Sequence, residues 1–213
     1  MRRRAVARAW AAVAALSLAG CSNTPDTAPL SADPATSTVS ASASPTSASP
    51  TAPPTASGLA VNGTKTSPIT WYVKTTGDPA KDAALLAAQQ YWSLTTRLHE
   101  KPNPADPLLS RVIVEPQLAR VVKTVTDMQK AGKTAFGPST ISSQLGAFST
   151  TTARVDSCVD ENLTQVYQHD LRLIGVGTLG CNLYQVSLRR IDGVWKAYDQ
   201  HYTSTCTITK YHQ

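Results

Sequence analysis

From Ser22 to Ser57 the chain is built almost wholly of Ser, Thr, Pro and Ala, without one aromatic residue or glycine. Such a stretch cannot bury enough apolar surface to offset the entropy of ordering its backbone, so it is expected to stay disordered. Its prolines stiffen it toward an extended polyproline helix, which suits a tether. Folding is thereby confined to one side. Every aromatic side chain except Trp10 lies beyond this segment. The roughly 150 residues that start at Leu59 are the usual size of one domain with one core. The expected organisation is a leader over residues 1–20, a tether over 21–58 and an α+β domain over 59–213.

The leader has the layout of an export signal. Arg2, Arg3, Arg4 and Arg8 precede a short run rich in Ala, Val and Leu from Ala9 to Leu18. That run falls short of the roughly 20 apolar residues that cross a bilayer. It closes on Leu18-Ala19-Gly20-Cys21, which resembles the bacterial lipobox, in which the cysteine thiol takes a diacylglyceryl group. The resemblance implies a protein held on the extracytoplasmic face of the cell membrane by lipid on Cys21. Each buried methylene contributes about 0.8 kcal/mol, so two or more acyl chains hold firmly without a transmembrane helix.

The formal charge falls from +6 to +2 once the four leader arginines are removed. A nucleic-acid binder would keep a concentrated basic stripe, and the domain has only the local pair Arg189-Arg190, so no nucleic-acid partner is expected.

Asp78-Pro79 is a strong helix start, with Asp as N-cap and Pro at the first helical position. The spacing predicts a helix to about His99 that buries Leu85, Ala88, Tyr91, Trp92 and Leu98, stopped by Lys101-Pro102-Asn103-Pro104. A short helical turn follows Asp106-Pro107, and a second amphipathic helix runs from Pro116 to a C-cap at Gly132. Beyond Gly132 the period changes to two. Strands are expected over 134–145, 150–159, 164–174, 182–191 and 194–205, the last two joined by the hairpin turn Asp192-Gly193. Helices first and a strand meander afterwards predict N-terminal helices packed on an antiparallel sheet.

The hairpin turn sets a register in which Ile191 faces Val194. Counting outward places Leu188 opposite Ala197, Val186 opposite Asp199 and Tyr184 opposite His201. This row shares a face with Trp195. It carries the apolar bulk, so Asp199 and His201 are expected to look toward the helices, where Tyr91 and Trp92 lie. One slip would reverse that assignment.

The helical first half, Tyr91-Trp92, the run Val155-Asp156-Ser157-Cys158-Val159-Asp160 and the closing Gly193-Val194-Trp195-Lys196 together resemble an NTF2-like (cystatin-like) domain. More narrowly they are similar to actinobacterial lipoproteins of unknown function that carry an Asp-Cys-Val-Asp signature. Here Ser157 interrupts that signature. The resemblance implies a curved, cone-like sheet with a pocket against the helices, and it implies no catalytic residue. With Cys21 lipidated, Cys158, Cys181 and Cys206 remain, and an oxidising envelope favours one disulfide. Strand adjacency favours Cys181 as a partner, whereas the resemblance favours Cys158 with Cys206.

Other motifs fail on context. Gly175-Val176-Gly177-Thr178-Leu179-Gly180 matches a dinucleotide fingerprint but leads into a strand, not the helix that the chemistry needs. Ala131-Gly132-Lys133-Thr134 lacks the first glycine of a phosphate loop. The cysteine spacing contains no metal-binding pair, so neither metal nor cofactor is expected. His99, His169 and His212 read as surface histidines. The expected pocket is lined by Tyr91, Trp92, Tyr184, Val186, Trp195, Asp199 and His201. It is read as a binding site for a small apolar ligand, or for an envelope partner, with Asp199 and His201 as the alternative acid–base pair of an isomerase, dehydratase or hydrolase.

Replacing Cys21 by Ser should move the protein from the membrane fraction to the medium. Continued tight membrane attachment of Cys21→Ser would remove the anchor assignment.

Overall fold

The computed structural model describes residues 59–169, 172–176 and 180–210; Cys21, the leader, the tether and His212 lie outside them. The described chain opens with a strand, β1 (Ile69–Lys74), followed by α1 (Pro79–Glu100), a short α2 (Leu109–Val112) and α3 (Gln117–Lys130). Strands fill the remainder: β2 (Lys133–Phe136), β3 (Ser139–Phe148), β4 (Thr152–Asp160), β5 (Gln165–Gln168), β6 (Arg172–Val176), β7 (Cys181–Ile191) and β8 (Val194–Cys206). Five strands form a large sheet in the order β1-β3-β4-β7-β8, and β2-β5-β6 form a small one. The domain is a mixed α+β fold, with helices against the inner face of a sheet that bulges curve.

Three expectations need correction. Helices do not come first: β1 precedes them and pairs in parallel with β3, from Ile69 opposite Ser139 to Lys74 opposite Gln144. The large sheet is therefore not purely antiparallel. The single strand expected over 134–145 is two, broken at Gly137-Pro138. Gly137 takes a φ of +140°, and a side chain there would strike the Leu163 carbonyl. With no amide hydrogen on Pro138, the ladder ends and the chain passes from the small sheet to the large one. The strand expected over 164–174 is also two, β5 and β6, paired antiparallel. Of the glycine-rich match, Gly175 and Val176 end β6, Gly180 immediately precedes β7, and residues 177–179 lie outside the described residues.

The helix signals act locally as their chemistry dictates. Asp78 Oδ1 accepts from the Ala80 amide at 2.9 Å, and that bond holds the Asp78 carboxyl below the usual range. Gly132, with φ +59°, ends α3 by donating its amide to the Gln129 carbonyl at 3.1 Å. The core then forms between α1 and the inner row of the sheet, in which Ile141, Val155, Val159, Val186, Leu188 and Ala197 are all at most 1 % exposed.

Cys158 and Cys206 form the disulfide, and Cys181 remains a thiol although its backbone lies opposite Cys206. Beyond the bridge the chain crosses the outer face of the sheet. The Thr209 amide donates to Ser142 Oγ of β3 at 3.3 Å, and the Lys210 ammonium stands 5.9 Å from the Tyr72 ring of β1. The bridge spans 48 residues of sequence, and closing a loop of that size stabilises by about 4 kcal/mol through the unfolded chain. Cys206→Ser should lower the denaturant midpoint accordingly, whereas Cys181→Ser should leave it nearly unchanged. Equal effects of the two would mean that the pairing is wrong.

Candidate functional site

A cavity of about 420 Å³ opens between α1, α3 and the distal half of the β7–β8 hairpin. α1 contributes Tyr91, Trp92, Thr95, Leu98 and His99, positions that a helix brings to one side at spacings of three and four. The opposite wall is α3, through Gln117, Val121, Thr124 and Val125, with Arg120 beside them. Tyr184 of β7, Gln200 of β8 and Glu161 at the end of β4 complete the lining.

Its aromatic wall is a chain of edge-to-face contacts. Tyr91 meets Trp92 at 5.6 Å between centroids, Trp92 meets Tyr184 at 5.3 Å, and Tyr184 meets Tyr202 at 6.0 Å. A polar row crosses this wall. Gln117 Nε2 donates to the Tyr91 hydroxyl at 2.7 Å, and that hydroxyl donates in turn to Gln200 Oε1 at 3.3 Å. Burial pushes the Tyr91 phenol far above its ordinary range, so it stays a neutral hydroxyl. Two buried polar atoms of the lining residues, Trp92 Nε1 and Gln117 Oε1, have no hydrogen-bond partner among the described residues.

Two titratable groups touch the same cavity. Burial raises the Glu161 carboxyl, with the neighbouring Asp160 charge adding to the effect. Burial lowers the His99 imidazole. Both shifts favour the uncharged form. His99 is therefore not the surface histidine expected from sequence; the last turn of α1 carries it over the cavity.

Of the residues expected to line a pocket, Tyr91, Trp92 and Tyr184 come together here. Val186 and Trp195 instead sit in the core, at 0 % and 5 % exposure, with Trp195 against Phe148 at 5.7 Å. Asp199 and His201 are absent from the lining, and the reason is a β-bulge. Pairing holds from Ile191–Val194 to Leu188–Ala197, but Tyr198 is then an extra residue. Asp199 consequently faces Ser187, Gln200 takes the place opposite Val186, and His201 faces Gln185. Asp199 ion-pairs with Arg120 of α3, its other oxygen 3.5 Å from His201 Nδ1. Side-chain exposures of 33 % for Asp199, 52 % for Arg120 and 49 % for His201 put this cluster in solvent at the rim. It is not a buried acid–base pair.

Sequence reasoning missed Gln117, Arg120, Glu161 and Gln200. Glu161 follows Asp160 in a polar connection whose folding back toward α1 has no local signal. Gln200 was one residue away from the position counted as inward.

No protein-family model matches the chain, and no curated protein sequence matches it. Solved structures do. The intermembrane-space region of chloroplast protein ARC6 is similar with a TM-score of 0.46 and 12 % identity, covering 62 % of this chain and all of that one. A putative scytalone dehydratase from Novosphingobium aromaticivorans gives 0.39 and 19 % over 62 % of this chain and 92 % of that one. A de novo β-sheet design gives 0.30 and 15 % over 63 % and 94 %.

Because folded Glu161 keeps its proton to higher pH than the unfolded chain does, the folded state binds more protons between those two values, and stability falls as pH rises through them. Glu161→Gln removes that penalty. Its melting temperature should match the parent's near about pH 4 and exceed it near about pH 7, a divergence readable by calorimetry. Parallel curves would mean that Glu161 is solvated.

Proposed function

We propose that this chain is a lipid-anchored envelope protein whose domain binds a small, largely apolar molecule and does not transform it. The observation that carries the reading is the cavity itself. A volume of about 420 Å³, walled by Tyr91, Trp92, Tyr184, Leu98 and Val125 and crossed by a few neutral polar groups, is the make-up of a small-molecule site. The resemblance of the sequence to NTF2-like domains supports it, since that fold forms a cone closed by helices. In the same proposal the lipobox at Cys21 supplies the anchor and residues 22–57 supply a stalk.

A second reading rests on Glu161 and His99. A carboxyl that burial makes a weaker acid and an imidazole that burial makes a weaker base on one cavity are a proton donor and a proton acceptor of the kind general acid–base chemistry uses. The binding reading is preferred because, among the described residues, no hydrogen bond or ion pair of either side chain orients it for proton transfer.

Native mass spectrometry of the protein purified from its own host tests the choice. A species heavier than the polypeptide and its lipid by one discrete small molecule is expected, and Val125→Trp, which fills the cavity, should lose it. Only the bare mass, together with an unchanged mass for Val125→Trp, would defeat the binding reading.

A further inference from the structure

Arg120 is the only fixed cation among the described residues that line the cavity, and Asp199 holds it. Asp199 itself does not line the cavity. It stands on the edge strand β8, one residue before Gln200, which does. Everything else polar on the wall is neutral or inclined to be. Gln117, Tyr91 and Gln200 form a row of amides and a hydroxyl, and the side-chain amide oxygen of Gln117 is buried without a partner among the described residues. Glu161 is on the same wall, and a bound carboxylate beside it would press it further toward its neutral form, with no free cation among the described lining residues to offset the pair.

A carboxylate entering this space would give up water for a wall whose only positive charge is already engaged. An alcohol or ketone of the same shape loses far less hydration and finds amide and hydroxyl groups suited to it. Resting on the reading of the cavity as a ligand site, we propose that Asp199 sets its specificity. By neutralising Arg120, Asp199 makes the cavity accept uncharged apolar molecules bearing a hydroxyl or carbonyl and reject carboxylates of equal shape. Exclusion by an engaged charge is specificity obtained against the wrong ligand, and one side chain can reverse it.

The test uses three two-ring probes on the full chain carrying Cys21→Ser, titrated at low ionic strength by tryptophan fluorescence: 2-naphthalenemethanol, 2-naphthoate and 2-methylnaphthalene. The alcohol should bind at least about tenfold more tightly than the carboxylate. Asp199→Asn, exposed enough to leave folding intact, should strengthen 2-naphthoate by about tenfold and leave the alcohol within about twofold. Adding Arg120→Gln to Asp199→Asn should abolish that gain. Carboxylate binding equal to or tighter than alcohol binding in the parent would overturn the proposal, as would an Asp199→Asn variant with unchanged 2-naphthoate affinity. In both cases bound 2-methylnaphthalene would show that the cavity is still a ligand site. Failure of all three probes to bind would remove the site and the specificity with it.

Discussion

The structure depends on burying one helix from almost every side. α1 runs for 22 residues, and half of them are buried, including the polar Gln90, Ser93 and Thr95. A helix lying on a sheet with its back to water would show a stripe. α1 cannot, because the sheet takes one side, α2 and α3 another, and residues 59–64 wrap the rest. Ser93 Oγ donates to the Ala60 carbonyl at 2.6 Å and accepts from the Gly63 amide at 3.3 Å, and the Trp71 indole fastens the same segment by donating to the Val61 carbonyl at 2.7 Å. Small residues make this enclosure feasible. Ala84 and Ala88, both at 0 % exposure, let the backbone come close to its neighbours, and Tyr91 and Trp92 then hold it off one turn later. The cavity is the space behind those two rings.

Edge strand β8 decides what that space contains. Its first half is covered: the Val114 amide donates to the Ala197 carbonyl at 2.9 Å, and the Lys196 ammonium to the Ser110 carbonyl at 2.9 Å. Beyond Ala197 the cover ends and the bulge begins. An uncovered edge can twist, and the added twist carries Gln200 inward while Asp199 meets α3. Burial and electrostatics are thus divided along one strand, apolar and closed up to Ala197, polar and open after it.

Much of this was legible in the sequence where signals are local. Asp78-Pro79, Gly132 and Asp192-Gly193 each act through backbone geometry within a few residues, and the elements they bound are found close to where they were expected. The disulfide of Cys158 with Cys206 was legible only through family resemblance, since adjacency pointed to Cys181. β1 was missed because a six-residue edge strand that pairs in parallel across the α1–α3 insertion leaves only the alternation of Ile69, Trp71 and Val73 to announce it. The cavity was half legible. Tyr91, Trp92 and Tyr184 follow from helix and strand periodicity. Asp199 and His201 were misassigned because counting from a turn is reliable only to the first bulge. Glu161 reaches the cavity that His99 also lines by the return of a connection, which no periodicity encodes.

The bulge at Tyr198 also makes the chemistry of the cavity a matter of parity. No substitution in β8 can turn a side chain from one face of the sheet to the other, but an in-frame duplication of the Tyr198 codon would, with the bulge kept at one extra residue and the copy opposite Ser187. Pairing from Ile191 to Leu188 would survive, Asp199 would fall opposite Val186, and a carboxylate would stand where an amide now does. Among descendants of this gene, single-codon duplications at this point therefore change the charge on the cavity wall in one step without altering any residue already there. A comparison of related sequences that scores substitutions alone would pass over them.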